Sequence, residues 1–217
     1  MIHKIFDIKD LNDDLIAKYF PILSDARQKK IASMKSVEDR TIAFCTEIIA
    51  RQCLSEHCNA PEFSFSLLCL PNGKTVVGNY DVNISMTICD DLIGCAVSDK
   101  NIGIGIHKIY PFTFKQAQEL FSDSEIRNIF SVSKYSFSEI VNLNECNETE
   151  VMQKFAVFSS LKEAYFQASG RSIRSDMHKI DFVFDGAELI CSDKDAAVSV
   201  IYIDKKRNIA VSVIERK

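Results

Sequence analysis

An α+β fold of two similar halves, each with helices packed on a small antiparallel sheet, is what the sequence predicts. Three observations predict it. The apolar period changes from helical to alternating near residue 63. After the polar break Ser98-Asp99-Lys100-Asn101 the same order of helices and then strands returns. Finally, Cys95-Ala96-Val97-Ser98 has a short echo in Ala210-Val211-Ser212-Val213. The echo is too short to establish a repeat, but the matching order of elements favours a duplicated architecture, divided as 1–99 and 100–217.

Each element has its own signal. Residues 2–8 alternate as a first strand. Ser24-Asp25 caps a helix running through Arg27, Lys29, Lys30, Ile31 and Met34. From Asp39, the residues Ile42, Cys45, Ile48, Ile49 and Cys53 recur at helical spacing. Phe63 to Leu70 reads as a strand, followed by a turn at Pro71-Asn72-Gly73-Lys74, where Asn-Gly supplies positive φ. Val82 to Ile88 and Leu92 to Val97 are two more strands around an Asp90-Asp91 turn.

In the second half, Ile102 to Ile109 is a strand. Phe114 to Phe130 holds one or two helices, with Ser122 to Glu125 as a capping box. Asn147 to Ala168 is a long helix with Val151, Phe155, Phe158, Leu161 and Tyr165 as its core stripe, and Gly170 ends it. Lys179 to Phe184, Ala187 to Cys191, Ala197 to Ile203 and Asn208 to Ile214 read as strands, the last two joined by Asp204-Lys205-Lys206-Arg207.

The bulk numbers bound the function. With 217 residues and 47% apolar content a sizeable core is expected. A net charge of −4 argues mildly against a nucleic-acid binder. The eight cysteines form no C-x-x-C pair and read as buried reduced thiols of a cytoplasmic protein. Cys53, His57 and Cys58 have no second cluster to complete a structural zinc site. No apolar run is long enough for a signal peptide or a membrane span, so no membrane association is expected.

Five segments in one order carry a resemblance: Pro71-Asn72-Gly73-Lys74, Asn83-Ile84-Ser85, Gly103-Ile104-Gly105-Ile106, Phe121-Ser122 with Glu125, and Leu161-Lys162-Glu163-Ala164-Tyr165. Together, with Asp39-Arg40 through Glu47 to Arg51, they resemble the surfactin-type 4′-phosphopantetheinyl transferases over roughly residues 20–175. The resemblance implies two pseudo-twofold-related halves with a cleft between them. It implies transfer of the phosphopantetheine arm of coenzyme A to a serine of an acyl or peptidyl carrier protein. Mg²⁺ is the metal it implies, and a single chain suffices, so a monomer is expected.

The same resemblance assigns residues. Lys29, Lys74, Ser85 and Lys162 are implied as coenzyme A phosphate contacts. Glu163 is implied as metal ligand and partner of the base, and with Lys162 it forms the implied catalytic pair. Each has a plainer reading: a solvated helix face for Lys29, an ordinary turn lysine for Lys74, a strand serine for Ser85. Lys162 and Glu163, beside a core stripe, either face a cleft or reach to water.

This chain departs from the family pattern in the same site. Gly-Ile-Asp-Ile-Glu is replaced by Gly103-Ile104-Gly105-Ile106-His107, so strand alternation puts a glycine and an imidazole where the family has two acids. His107 is a candidate ligand, better suited to Zn²⁺ or Mn²⁺ than to Mg²⁺. Protonated, it instead offers a positive charge to a phosphate. Ile42, Met86 and Gln167 replace further polar or basic family residues. Three expectations follow: a transferase with impaired turnover, a non-catalytic relative that binds coenzyme A or a carrier protein, or a protein that kept only the fold.

Overall fold

In the computed structural model, which describes residues 1–70, 74–171, 177–185 and 188–217, the chain divides into two compact units, Met1–Lys100 and Asn101–Lys217. Both mix helices with small antiparallel sheets.

The first unit contains β1 (Ile2–Asp7), α1 (Asp13–Tyr19), α2 (Asp25–Ser33), α3 (Val37–Cys58), β2 (Leu67–Cys69), β3 (Thr75–Val77), β4 (Asn83–Cys89) and β5 (Leu92–Ser98). Side-chain caps set the helix starts. Ser24 accepts the Arg27 N–H and Ser36 accepts the Asp39 N–H, each satisfying an orphan donor of a first turn. The sheet order is β1-β5-β4, all antiparallel, with Asp90 at φ 50° making the tight β4–β5 turn. Against it, α3 buries Cys45, Ile49 and Cys53 beside Ile93, Cys95 and Val97.

The second unit contains β6 (Asn101–Lys108), α4 (Phe114–Leu120), α5 (Asp123–Phe130), α6 (Phe137–Val141), α7 (Thr149–Ser169), β7 (Phe182–Asp185), β8 (Glu188–Cys191), β9 (Ala196–Asp204) and β10 (Ile209–Arg216). Its main sheet has the order β6-β10-β9, which leaves β6 at an edge. The expected stripe of α7, from Val151 to Tyr165, is fully buried, and Gly170 caps the helix at φ 66°. The Ser122–Glu125 capping box forms as read.

Four local expectations need correction. Phe63 to Leu70 is not one strand: a 3-10 turn covers Glu62–Ser64 and only Leu67–Cys69 pairs. Side chains take the backbone groups a ladder would use. Arg51 donates to the Glu62 and Phe65 carbonyls, and Asn79 both accepts the Ser66 N–H and donates to the Ser64 carbonyl. Lys179 is likewise in a 3-10 turn and the strand begins at Phe182, because Lys162 draws the Met177 and Ile180 carbonyls inward. Helices α1 and α6 stand where no element is expected above, and Asn12 and the Ser136–Glu139 box start them. Cysteine burial is mixed: Cys45, Cys53, Cys95 and Cys146 are buried, whereas Cys69 is exposed. The turn residues Pro71, Asn72 and Gly73, and Ala187 of the expected eighth strand, lie outside the described residues.

Among the described residues no helix is long and apolar enough to cross a membrane.

Candidate functional site

Two places bear on the residues singled out above: a cavity in the first unit, near Lys29 and Lys74 in sequence, and the seam between β6 and α7 in the second, which holds Glu163, Gly105 and His107.

The cavity has a volume of about 260 Å³ and is lined by Arg27 and Lys30 of α2, Glu47 of α3, and Leu67, Leu68 and Thr75 of the β2–β3 hairpin. Arg27 and Lys30 lie three residues apart, hence on one helix face. Arg27 Nε lies 2.7 Å from Glu47 Oε1, and its guanidinium also donates to the Ala43 carbonyl at 3.3 Å. Glu47 is buried and faces a second guanidinium, Arg51, at 3.5 Å. Arg27 and Lys30 against the single carboxylate of Glu47 leave the wall with a small excess of positive charge. Oxyanions are the natural ligands of such a wall.

Lys29 is exposed on α2 but is not among the lining residues. The basic side chains at the cavity are its neighbours Arg27 and Lys30, which the i, i+3 spacing within Arg27-Gln28-Lys29-Lys30 could have selected. Lys74 is exposed and its carbonyl accepts the Leu70 N–H at 2.8 Å, closing the hairpin next to Thr75. Ser85 is buried on β4, opposite Ala96 of β5.

In the second unit Lys162 is set apart from Glu163 and Gln167, which are hydrogen-bonded to each other. Lys162 neither faces a cleft nor reaches water. Its ammonium is wholly buried, 2.8 Å from the equally buried Glu125, and it donates to the Met177 and Ile180 carbonyls. Contact with a bound phosphate needs an exposed ammonium, which this geometry does not provide. Glu125 also accepts the Ser122 and Phe182 N–H groups, tying α5 and β7 to α7. Burial pushes the Glu125 carboxyl above its usual range, and the Lys162 ammonium opposes that shift.

Glu163 lies one position further around α7, about 100° away. Its Oε2 accepts the Ile106 N–H at 3.2 Å and its Oε1 accepts from the Gln167 amide at 3.3 Å. Gln167 Oε1 in turn faces the Ile104 N–H at 3.4 Å. Gly103 and Gly105 lie under the α7 backbone. A Cβ on Gly105 would fall far inside contact distance of the Ser160 carbonyl oxygen and 2.9 Å from its carbon. A Cβ on Gly103 would collide with the Ala164 carbonyl in the same way.

His107 is half-buried, stacked on Tyr110 with ring centres 5.5 Å apart and edge-on to Phe155 at 5.8 Å. Its Nδ1–H donates to the Lys108 carbonyl at 2.9 Å. Burial lowers the pKa of the ring, with the Lys108 carbonyl a smaller opposing influence. Burial thus favours the neutral ring, and the expected imidazolium facing a phosphate is not what this environment favours.

These residues do not fit Mg²⁺. That ion wants near-octahedral oxygen ligands, several of them carboxylate or water. The seam supplies one carboxylate already accepting hydrogen bonds, one imidazole and a glycine pressed on a helix backbone. Among the described residues no group of three His, Cys, Asp or Glu side chains is placed to hold a metal ion.

No family model matches the chain. It is similar to 4'-phosphopantetheinyl transferase gsp of Aneurinibacillus migulanus, at 22% identity over 185 residues, which is 85% of this chain and 68% of that protein. This distant similarity supports a phosphopantetheinyl transferase relationship and a transferase activity in general terms.

Proposed function

We propose that the protein is a surfactin-type 4′-phosphopantetheinyl transferase that moves the phosphopantetheine arm of coenzyme A to a serine of an acyl or peptidyl carrier protein, with slow turnover. The observation that carries the reading is the basic cavity of the first unit. Arg27 and Lys30 line it, and Lys74 adjoins its hairpin wall. Coenzyme A is a polyanion, and a cavity lined by two cations on one helix face together with apolar Leu67 and Leu68 suits a nucleotide bearing phosphates. The distant transferase similarity supports the same class.

In the reaction the carrier serine oxygen bonds to the phosphorus that bears pantetheine. The bond from that phosphorus to the leaving adenosine bisphosphate breaks, and the serine proton passes to a base. Lys29, Lys74 and Ser85 are proposed coenzyme A contacts, joined by Arg27 and Lys30. Glu163 is the proposed carboxylate near the reacting groups, and Lys162 holds α7 in place through Glu125. Charge neutralisation by these cations is what the protein contributes. The protein is proposed to act as a cytoplasmic monomer.

A second reading, a non-catalytic relative that binds coenzyme A or a carrier protein, is favoured by Gly105, where the family acid is absent and a helix backbone fills the space.

The test is incubation with coenzyme A, Mg²⁺ or Mn²⁺ and several apo carrier proteins, followed by mass spectrometry. The transferase reading expects the mass of one phosphopantetheine to appear on the carrier. Binding of coenzyme A without any mass gain selects the second reading, and no binding of either partner rejects both.

A further inference from the structure

We propose that the β6–α7 seam is a closed edge clamp rather than a divalent-cation site, and that Glu163 and Gln167 act there as backbone acceptors. β6 is an edge strand, so every second N–H along it points away from β10 and needs a partner. Ile104 and Ile106 are two such residues, about 6.7 Å apart along a strand. Gln167 and Glu163 are four residues apart on α7, about 6 Å along a helix. The two spacings match, with α7 running opposite to β6. Gln167 faces the Ile104 N–H, Glu163 accepts the Ile106 N–H, and the Gln167 amide bridges to Glu163.

The approach is close because the facing residues are small. Gly103 and Gly105 on β6 and Ser212 on β10, which pairs with Gly105, form the floor. Ser160 and Ala164 form the roof, and the Ser160 and Ser212 hydroxyls meet at 2.7 Å. Two departures thereby gain one explanation. Glycine at 105 removes an acid and lets α7 settle. Glutamine at 167 removes a cation and supplies an acceptor that lysine lacks.

The consequence for coenzyme A rests on the transferase reading: binding of coenzyme A proceeds without a metal at Glu163. The clamp itself does not depend on that reading.

The experiment uses the full chain in two measurements. Amide exchange by NMR is compared between the unaltered protein and Glu163→Ala and Gln167→Ala. The clamp expects Ile106 exchange to rise about tenfold in Glu163→Ala, as befits losing a hydrogen bond to a charged acceptor. Ile104 is expected to rise in Gln167→Ala. Unchanged exchange at both amides overturns the proposal. Mn²⁺ is then titrated by electron paramagnetic resonance, with and without coenzyme A. The free-ion signal is expected to follow that of buffer. Stoichiometric uptake that Glu163→Gln abolishes overturns the proposal, while leaving the transferase reading intact. Gly105→Asp is expected to lower Tm, or to prevent folding, without creating Mn²⁺ uptake; a stable Gly105→Asp protein that takes up Mn²⁺ overturns the closure. Coenzyme A that binds under no condition rejects the transferase reading and leaves the clamp standing.

Discussion

The Lys162 ammonium and the Glu125 carboxylate meet at 2.8 Å with neither side chain exposed to water. The lysine sits on the long helix and the glutamate at the third position of a short one. The pair therefore fixes one helix to the other, and through the Phe182 N–H it reaches a strand as well. Bringing two ions into a core is costly. Here the cost is offset by mutual attraction and by backbone partners on both sides.

Removing one member of this pair should destabilise the protein strongly. Lys162→Met or Glu125→Ala leaves an uncompensated buried charge, and about 3–5 kcal/mol of unfolding free energy is expected to be lost. Urea denaturation measures it. The double variant Glu125→Gln/Lys162→Met should recover part of the loss, and additive losses would show that the two residues do not act as a pair.

Gly105→Ala should cost about 1–3 kcal/mol or more, the range for forcing extra atoms into a packed interior. The obstruction is the Ser160 carbonyl of a helix backbone, which cannot rotate aside as a side chain would. A stability change near zero in the same denaturation experiment would mean that α7 is not seated on this strand.

Lys30→Ala should weaken coenzyme A binding about three- to tenfold, consistent with losing one charge-assisted contact that is partly open to solvent. Arg27→Ala should do at least as much, and it leaves the buried Glu47 with Arg51 as its remaining guanidinium partner. Calorimetry at two salt concentrations checks this, since a phosphate contact predicts weaker binding at the higher salt. Unchanged affinity in both variants would remove the basic cavity from the site.

His107 should make the protein acid-sensitive. Its folded pKa lies below the ordinary histidine value of about 6.5 because burial beside Tyr110 and Phe155 disfavours the charged ring. Between the lowered folded value and 6.5 the unfolded chain binds more protons than the folded one. Stability therefore rises with pH through that window and is lost as pH falls below 6.5. His107→Phe should flatten this part of the curve of unfolding free energy against pH. An unchanged curve would place the acid sensitivity elsewhere.

Much of the fold was legible because its signals are local. Ser24, Ser36 and Ser122 stand where helices begin, and the α7 stripe repeats at helical spacing. Expectations failed where a distant side chain took over a backbone group. Arg51 and Asn79 shortened the strand expected from Phe63, and Lys162 bent the segment before Phe182. Of the site, the sequence offered charged positions: the family resemblance pointed to Lys29, whereas the cavity is lined by its neighbours Arg27 and Lys30, whose i, i+3 spacing puts them on one helix face.

By itself the sequence determined most of the longer helices and strands, the Ser122–Glu125 capping box, the core stripe of α7 and the absence of acids at Gly105 and His107. These depend on residue type and spacing within a few turns. Only the tertiary structure decided what those residues do. It turned Lys162 inward to Glu125, engaged Glu163 on the Ile106 N–H, and pressed Gly105 against Ser160. A lysine on a helix reads the same whether its ammonium meets water or a carboxylate 37 residues earlier in the chain. Which of the two it meets depends on how α5 and β6 pack against α7, and that packing is a property of the assembled core.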